Sequence, residues 1–106
     1  MMGNPEHSDV VLRTFERLAD RWQLTTAERS QWLGVDLDPE ERLDRLSYAL
    51  GIYQALHRIF SDSGTADGWI RRQNSHFGCS ALSYALAGGT QAMREVRQYL
   101  DGQVLS

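Results

Sequence analysis

Apolar residues recur along this chain at helical intervals, and no stretch alternates with period two for long enough to make a sheet. β-Branched residues never cluster. Val11, Phe15, Leu18 and Trp22 step by four, three and four, with Arg13, Glu16, Arg17 and Asp20 around the polar side. This predicts a first helix starting near Ser8, with Ser8 as its N-cap and Asp9 behind it. Thr25 and Glu28 have capping-box spacing, so a short second helix follows, contributing Trp32 and Leu33 and ending at Gly34.

The clearest start signal is Asp38 as cap, Pro39 at the first helical position, and Glu40 and Glu41 facing the positive end of the dipole. Leu43, Leu46, Leu50 and Tyr53 step by three, four and three, and Leu56, Ile59 and Phe60 carry the stripe on. A long central helix of about 20 residues is expected. Gly51 inside it costs roughly 1 kcal/mol against alanine, which points to the close approach of another helix. Ser61 to Gly64 reads as a break, and a short helix runs through Ala66, Trp69 and Ile70 to Arg71. Gln73 to Gly78 reads as an irregular loop. Ser80 caps a short helix carrying Leu82 and Leu86, which Gly88-Gly89 stops. Thr90 caps the last helix, striped by Met93, Val96 and Leu100, and Gly102 to Ser106 reads as a tail. The expected fold is all-α, with about six helices: N-terminal helices over residues 1–37, then a long helix leading into a compact C-terminal helical region over 38–106.

Composition narrows the function classes. With 106 residues, two independent cores do not fit. Apolar residues at 42% and charged residues at 24% are a globular balance. A net charge of -3 supplies no excess drawing the whole molecule onto nucleic acid or an anionic membrane. One cysteine excludes an internal disulfide and a cysteine-built zinc site. No apolar run approaches the roughly 20 residues of a membrane span. Met1 to Asp9 lacks the order of a signal peptide, so a cytoplasmic protein without a membrane partner is expected. All 11 basic residues are arginine, which reads as genome composition.

No catalytic signature is present, and the chain reads as a non-enzyme without cofactor or metal. His7, His57 and His76 are scattered and none stands at ligand spacing with another. Cys79 follows Gly78 near a helix start, where a thiol can be activated, but lacks a partner motif and reads as a packed small residue. There is no Gly-x-Ser-x-Gly elbow, no Ser-x-x-Lys and no phosphate-binding glycine pattern. The four carboxylates of Asp36, Asp38, Glu40 and Glu41 lack the spacing of a calcium loop and read as helix N-terminal bias. Trp22 is in phase with the first stripe, and Trp32 suits core or surface. Trp69, beside Ile70, Arg71 and Arg72 and followed by a loop with Asn74 and Phe77, has the aromatic and arginine content of a protein interface, or of a core Trp beside a solvated turn.

The order of segments resembles the Xre/MbcA/ParS antitoxins. The resemblance is carried by Arg42 to Leu56 with Ile59-Phe60, then Ala66-Asp67-Gly68-Trp69-Ile70-Arg71-Arg72, Gln73-Asn74 and Phe77 to Leu82. It continues through the Gly88-Gly89 turn and Val96 to Leu100. The N-terminal part, Val11 to Val35, including Trp32 to Val35, resembles the family's N-terminal helices. The resemblance implies the antitoxin of a type II toxin–antitoxin pair, which binds a RES-domain, NAD-consuming toxin and closes its NAD pocket. It places toxin contact on Trp69, Ile70, Arg71, Arg72, Asn74, Phe77, Tyr99 and Leu100. Because Trp32 and the outer apolar positions of the long helix need cover, a homodimer within a larger complex is expected, with contact at Trp32, Leu43 and Leu46. One departure bears on DNA. Only Asp36 to Glu41 lies between Val35 and Arg42, and these six residues carry four carboxylates and no base. They leave no room for a separate recognition helix and repel phosphates. The alternative, a repressor of its own operon, needs another basic surface. Arg13, Arg17 and Arg21 form a stripe on the first helix that reads as a solvated face balanced by Glu16 and Asp20.

Overall fold

The computed structural model describes residues 5–105. Helix α1 spans Pro5–Arg21, α2 Thr26–Leu33, α3 Pro39–Ile59 and α4 Ser63–Gly68. A 3-10 turn, Trp69–Arg71, leads into a hairpin of β1, Gln73–Asn74, and β2, Cys79–Ser80, and α5 then covers Ala81–Leu105. The all-α expectation holds, and the helix count is close to that expected.

The caps explain most boundaries. The capping box of α2 is complete: Glu28 N donates to Thr25 Oγ1 at 3.0 Å and Thr25 N to Glu28 Oε1 at 2.9 Å. Asp38 Oδ1 accepts from Glu41 N at 2.8 Å and starts α3. Asp62 Oδ2 accepts from Thr65 N at 2.8 Å, so α4 begins inside the expected break. Ser80 Oγ accepts from Ser83 N at 3.0 Å and caps α5. Helix α1 overturns its predicted start: it begins at Pro5 and runs through Ser8, because proline suits a first turn, where its missing N–H is not needed.

Two other segments differ from the sequence reading. Gln73 to Gly78 is ordered as an antiparallel hairpin pairing Gln73 with Ser80 and Asn74 with Cys79. The tight turn is closed by Asn74, whose carbonyl accepts from Gly78 N at 3.0 Å and whose Oδ1 accepts from His76 N at 2.9 Å. The predicted tail is helical to Leu105, with Val104 packed on the core. The stop expected at Gly88-Gly89 is found: Gly89 takes the non-helical φ 72, ψ -149, and α5 consists of two helical limbs that meet there at a bend.

One core joins both ends of the chain. Phe15, Leu18, Trp22 and Trp32 from the N-terminal helices belong to the same buried cluster as Ile52, Leu56, Ile70, Met93, Val96 and Leu100. Helix α3 is its centre, with α5 lying along it. Gly51 permits that approach: a Cβ there would stand 2.6 Å from the Arg97 guanidinium of α5. Burial of whole Leu, Ile or Phe side chains contributes about 1.5–3 kcal/mol each, so this cluster dominates the stability of the fold.

Candidate protein-binding face

The hairpin, the 3-10 turn and α5 bring five aromatic rings together. Trp69 lies parallel to Tyr99, with centroids 6.5 Å apart. Phe77 meets Tyr99 edge-on at 5.4 Å and lies tilted by 34° against Tyr84 at 4.9 Å. His76 stacks on Tyr99 at 4.3 Å and meets the edge of Phe77 at 4.7 Å. Trp69, Phe77, Tyr84 and Tyr99 are half-buried and His76 is exposed. Rigid rings with one apolar surface still in solvent provide contact area at low entropic cost.

Of the residues expected to bind, Trp69, Phe77 and Tyr99 do converge. Ile70 and Leu100 do not belong to the surface. They are 0% and 1% exposed and form the floor beneath it, because their neighbours in helical phase face outward. Asn74 shapes the hairpin turn through His76 N. Arg72 is exposed, with Nη2 donating to Thr65 O at 3.3 Å. His76 and Tyr84 were missed. Tyr84 could have been found from its position one turn after the Ser80 cap, but His76 depends on the turn geometry.

Arg71 has a different role from the one expected. Its Nε donates to Trp22 O at 2.9 Å, its Nη2 to Gln23 O at 2.6 Å, and the same nitrogen lies 2.5 Å from Glu28 Oε1. The guanidinium is committed to the end of α1 and the start of α2. Arg71 above all holds the Glu28 carboxyl below its ordinary range.

Tyr84 OH donates to Glu95, joining the parts of α5 before and after its bend. That bond is the main reason the phenol is pushed above its ordinary value, and the same bond, aided by Gln91, lowers the Glu95 carboxyl. Cys79 is half-buried, its Sγ 3.8 Å from Phe77 O. His57 Nε2 stands 2.8 Å from Asp67 Oδ1, which fastens α4 to α3. Among the described residues, no three His, Cys, Asp or Glu side chains gather as a metal site. No helix among them is long and apolar enough to cross a membrane.

The expected copy-to-copy contact is corrected in part. Trp32 is 0% exposed and its indole N–H donates to Arg45 O at 2.9 Å, and Leu46 is 7% exposed, so both lie inside. Leu43, 40% exposed, stands between two apolar hollows of about 610 and 370 Å³ along α1 and α3. Leu12, Leu33 and Leu37 line the larger, and Val10, Phe15 and Leu50 the smaller.

Fold and face together define a small helical protein with an aromatic surface patch. It belongs to the family of y4oB, an uncharacterized protein of Sinorhizobium fredii, with 38% identity over 106 aligned residues that span 87% of this chain and 82% of y4oB. No protein-family model matches the chain, and no solved structure matches it.

Proposed function

We propose that this protein is a toxin-neutralising antitoxin that binds a RES-domain, NAD-consuming toxin and covers its NAD pocket. The observation that supports this reading is the convergence of Trp69 and Phe77 with Tyr99, more than twenty residues further on, on one half-exposed face. Aromatic and arginine side chains anchor protein interfaces, and these positions coincide with those at which the family resemblance puts toxin contact. Arg72 is exposed and held by a single carbonyl, that of Thr65, so its guanidinium keeps donors for an acidic surface. The protein acts in the cytoplasm by binding and carries out no chemistry itself. In the larger complex it is a homodimer, with Leu43 at the contact between copies.

Co-purification with the product of the neighbouring reading frame, which this reading expects to be a RES-domain protein, followed by calorimetric titration, tests the reading. A stable complex that Phe77→Asp abolishes supports it. Absence of a complex, or an undiminished complex with Phe77→Asp, overturns it. The start of α3 carries Asp38, Glu40 and Glu41, which repel phosphate, so repression of its own operon by this chain alone is not part of the proposal. A salt-sensitive, sequence-specific mobility shift by the purified protein would reverse that choice.

A further inference from the structure

The aromatic face is built from both sides of the bend in α5. Tyr84 comes from the limb before Gly89 and Tyr99 from the limb after it, and Phe77 touches both rings. The bend therefore determines whether the face exists. Nine residues separate Thr90 from Tyr99, about 13 Å of helix at 1.5 Å per residue, so a change of about 10° at the bend moves Tyr99 by ~2 Å. That displacement is enough to break ring contacts that depend on close approach.

The bend has a specific support on its inner side. Arg45 Nε donates to Thr90 Oγ1 at 2.8 Å, and the hydroxyl donates onward to Glu41 Oε2 at 2.7 Å. The Arg45 guanidinium lies so close to Gly89 that a Cβ there would stand 3.0 Å from Nη2. Arg45 is itself anchored, since Nη1 donates to Trp32 O at 3.1 Å and Gln31 O at 3.3 Å, and its own carbonyl accepts the Trp32 indole N–H. Gln31 Nε2 reaches Leu86 O at 3.3 Å, taking up a carbonyl just before the bend.

We propose that Arg45 and Thr90 are positioning residues for the aromatic face: by locking the α5 bend onto the end of α2 and the first turns of α3, they set where Tyr99 stands against Trp69 and Phe77. The proposal rests on the binding reading only in giving that face a use. Neither residue reaches the face, so both act through the helix. A planar guanidinium bound on several sides is a rigid support, which a lysine ammonium does not reproduce.

The experiment needs no partner, so its failure and the failure of the binding reading are separable. Protein labelled with 5-fluorotryptophan gives a fluorine resonance for each of its 3 tryptophans, assigned by Trp→Phe substitution. Thr90→Val and Arg45→Lys are expected to shift the Trp69 resonance by more than its linewidth while the Trp22 resonance stays. Thr90→Ser, which keeps the hydroxyl, is expected to leave both in place. A Trp69 resonance unmoved in both variants would overturn the proposal and leave the Tyr84–Glu95 bond as the support of the bend. Movement of Trp22 and Trp69 together, with loss of helix by circular dichroism, would overturn it in favour of a general core role.

Discussion

Arg71 closes the end of a helix nearly fifty positions earlier in the chain: its guanidinium binds the carbonyl of Gln23 at 2.6 Å. Gln23 is the left-handed residue that ends α1, with φ 58. The termination is a Schellman motif, in which Leu24 N donates to Ala19 O at 2.9 Å and Gln23 N to Asp20 O at 3.0 Å. A glutamine occupies the place glycine usually takes, and left-handed backbone costs a residue with a Cβ roughly 1–2 kcal/mol. The arginine offsets this by satisfying two carbonyls at the helix end.

Removing that clamp should therefore destabilise the fold. Arg71→Ala is expected to lower unfolding stability by about 1–2 kcal/mol, as for charge-assisted hydrogen bonds discounted for partial exposure. Gln23→Gly in the native background should be neutral or stabilising by up to about 1 kcal/mol. Urea unfolding monitored by circular dichroism checks both. Unchanged stability in Arg71→Ala would mean that the arginine is free for a ligand.

The same contact has a pH signature. Glu28 is held below its ordinary 4.5 chiefly by its hydrogen bond with Arg71. A carboxyl depressed in the folded state contributes stability above its unfolded value, and the contribution is lost as pH falls through the folded value. The stability of the native protein should fall below about pH 4.5. Glu28→Gln should reduce that acid loss and lower stability at neutral pH, as measured by thermal unfolding across a pH series.

The two core tryptophans should respond unequally to the same substitution. Trp22 and Trp32 are 1% and 0% exposed, with ring centroids 6.0 Å apart. The Trp32 indole N–H donates to Arg45 O, whereas Trp22 Nε1 is buried with no hydrogen-bond partner among the described residues. Replacement by phenylalanine removes a similar apolar volume at each site. Trp32→Phe is expected to cost about 1 kcal/mol more than Trp22→Phe, and equal losses in denaturant unfolding would contradict the hydrogen-bond assignment.

Substitutions on the face and beneath it should separate binding from folding. Trp69→Ala and Phe77→Asp are expected to weaken toxin binding at least about tenfold while helix content stays near native. Leu100→Ala, beneath the face and 1% exposed, should instead cost about 2–5 kcal/mol of stability. Paired titration and unfolding measurements check this contrast, and similar profiles for all three variants would contradict it.

What could be read from the sequence follows the range of the interactions involved. Asp38 with Pro39, and Thr25 with Glu28, announce helix starts because the atoms concerned lie within one turn. The stripes through Phe15 and Trp22, and through Met93, Val96 and Leu100, mark the core because periodicity is local. Gly102 looked like an ending, yet Val104 packs on the core and carries the helix to Leu105. Strands of two residues carry no periodic signal, so the hairpin at Asn74 was read as a loop. At the site, Trp69, Phe77 and Tyr99 were legible as interface residue types in a resembling order. The bonds of Arg71 to Trp22 and Gln23 were not legible, because these partners become its neighbours only through the tertiary fold.

Neutralisation of an NAD-consuming protein by the aromatic face, as proposed, is read most directly from cellular NAD. Cellular NAD should be measured after co-expression with the product of the adjacent reading frame, which the proposal expects to be a RES-domain protein. NAD is expected to stay near its uninduced level with the native chain and to be depleted with Phe77→Asp expressed to the same level. Depletion as fast with the native chain as without it would rule out neutralisation by this protein.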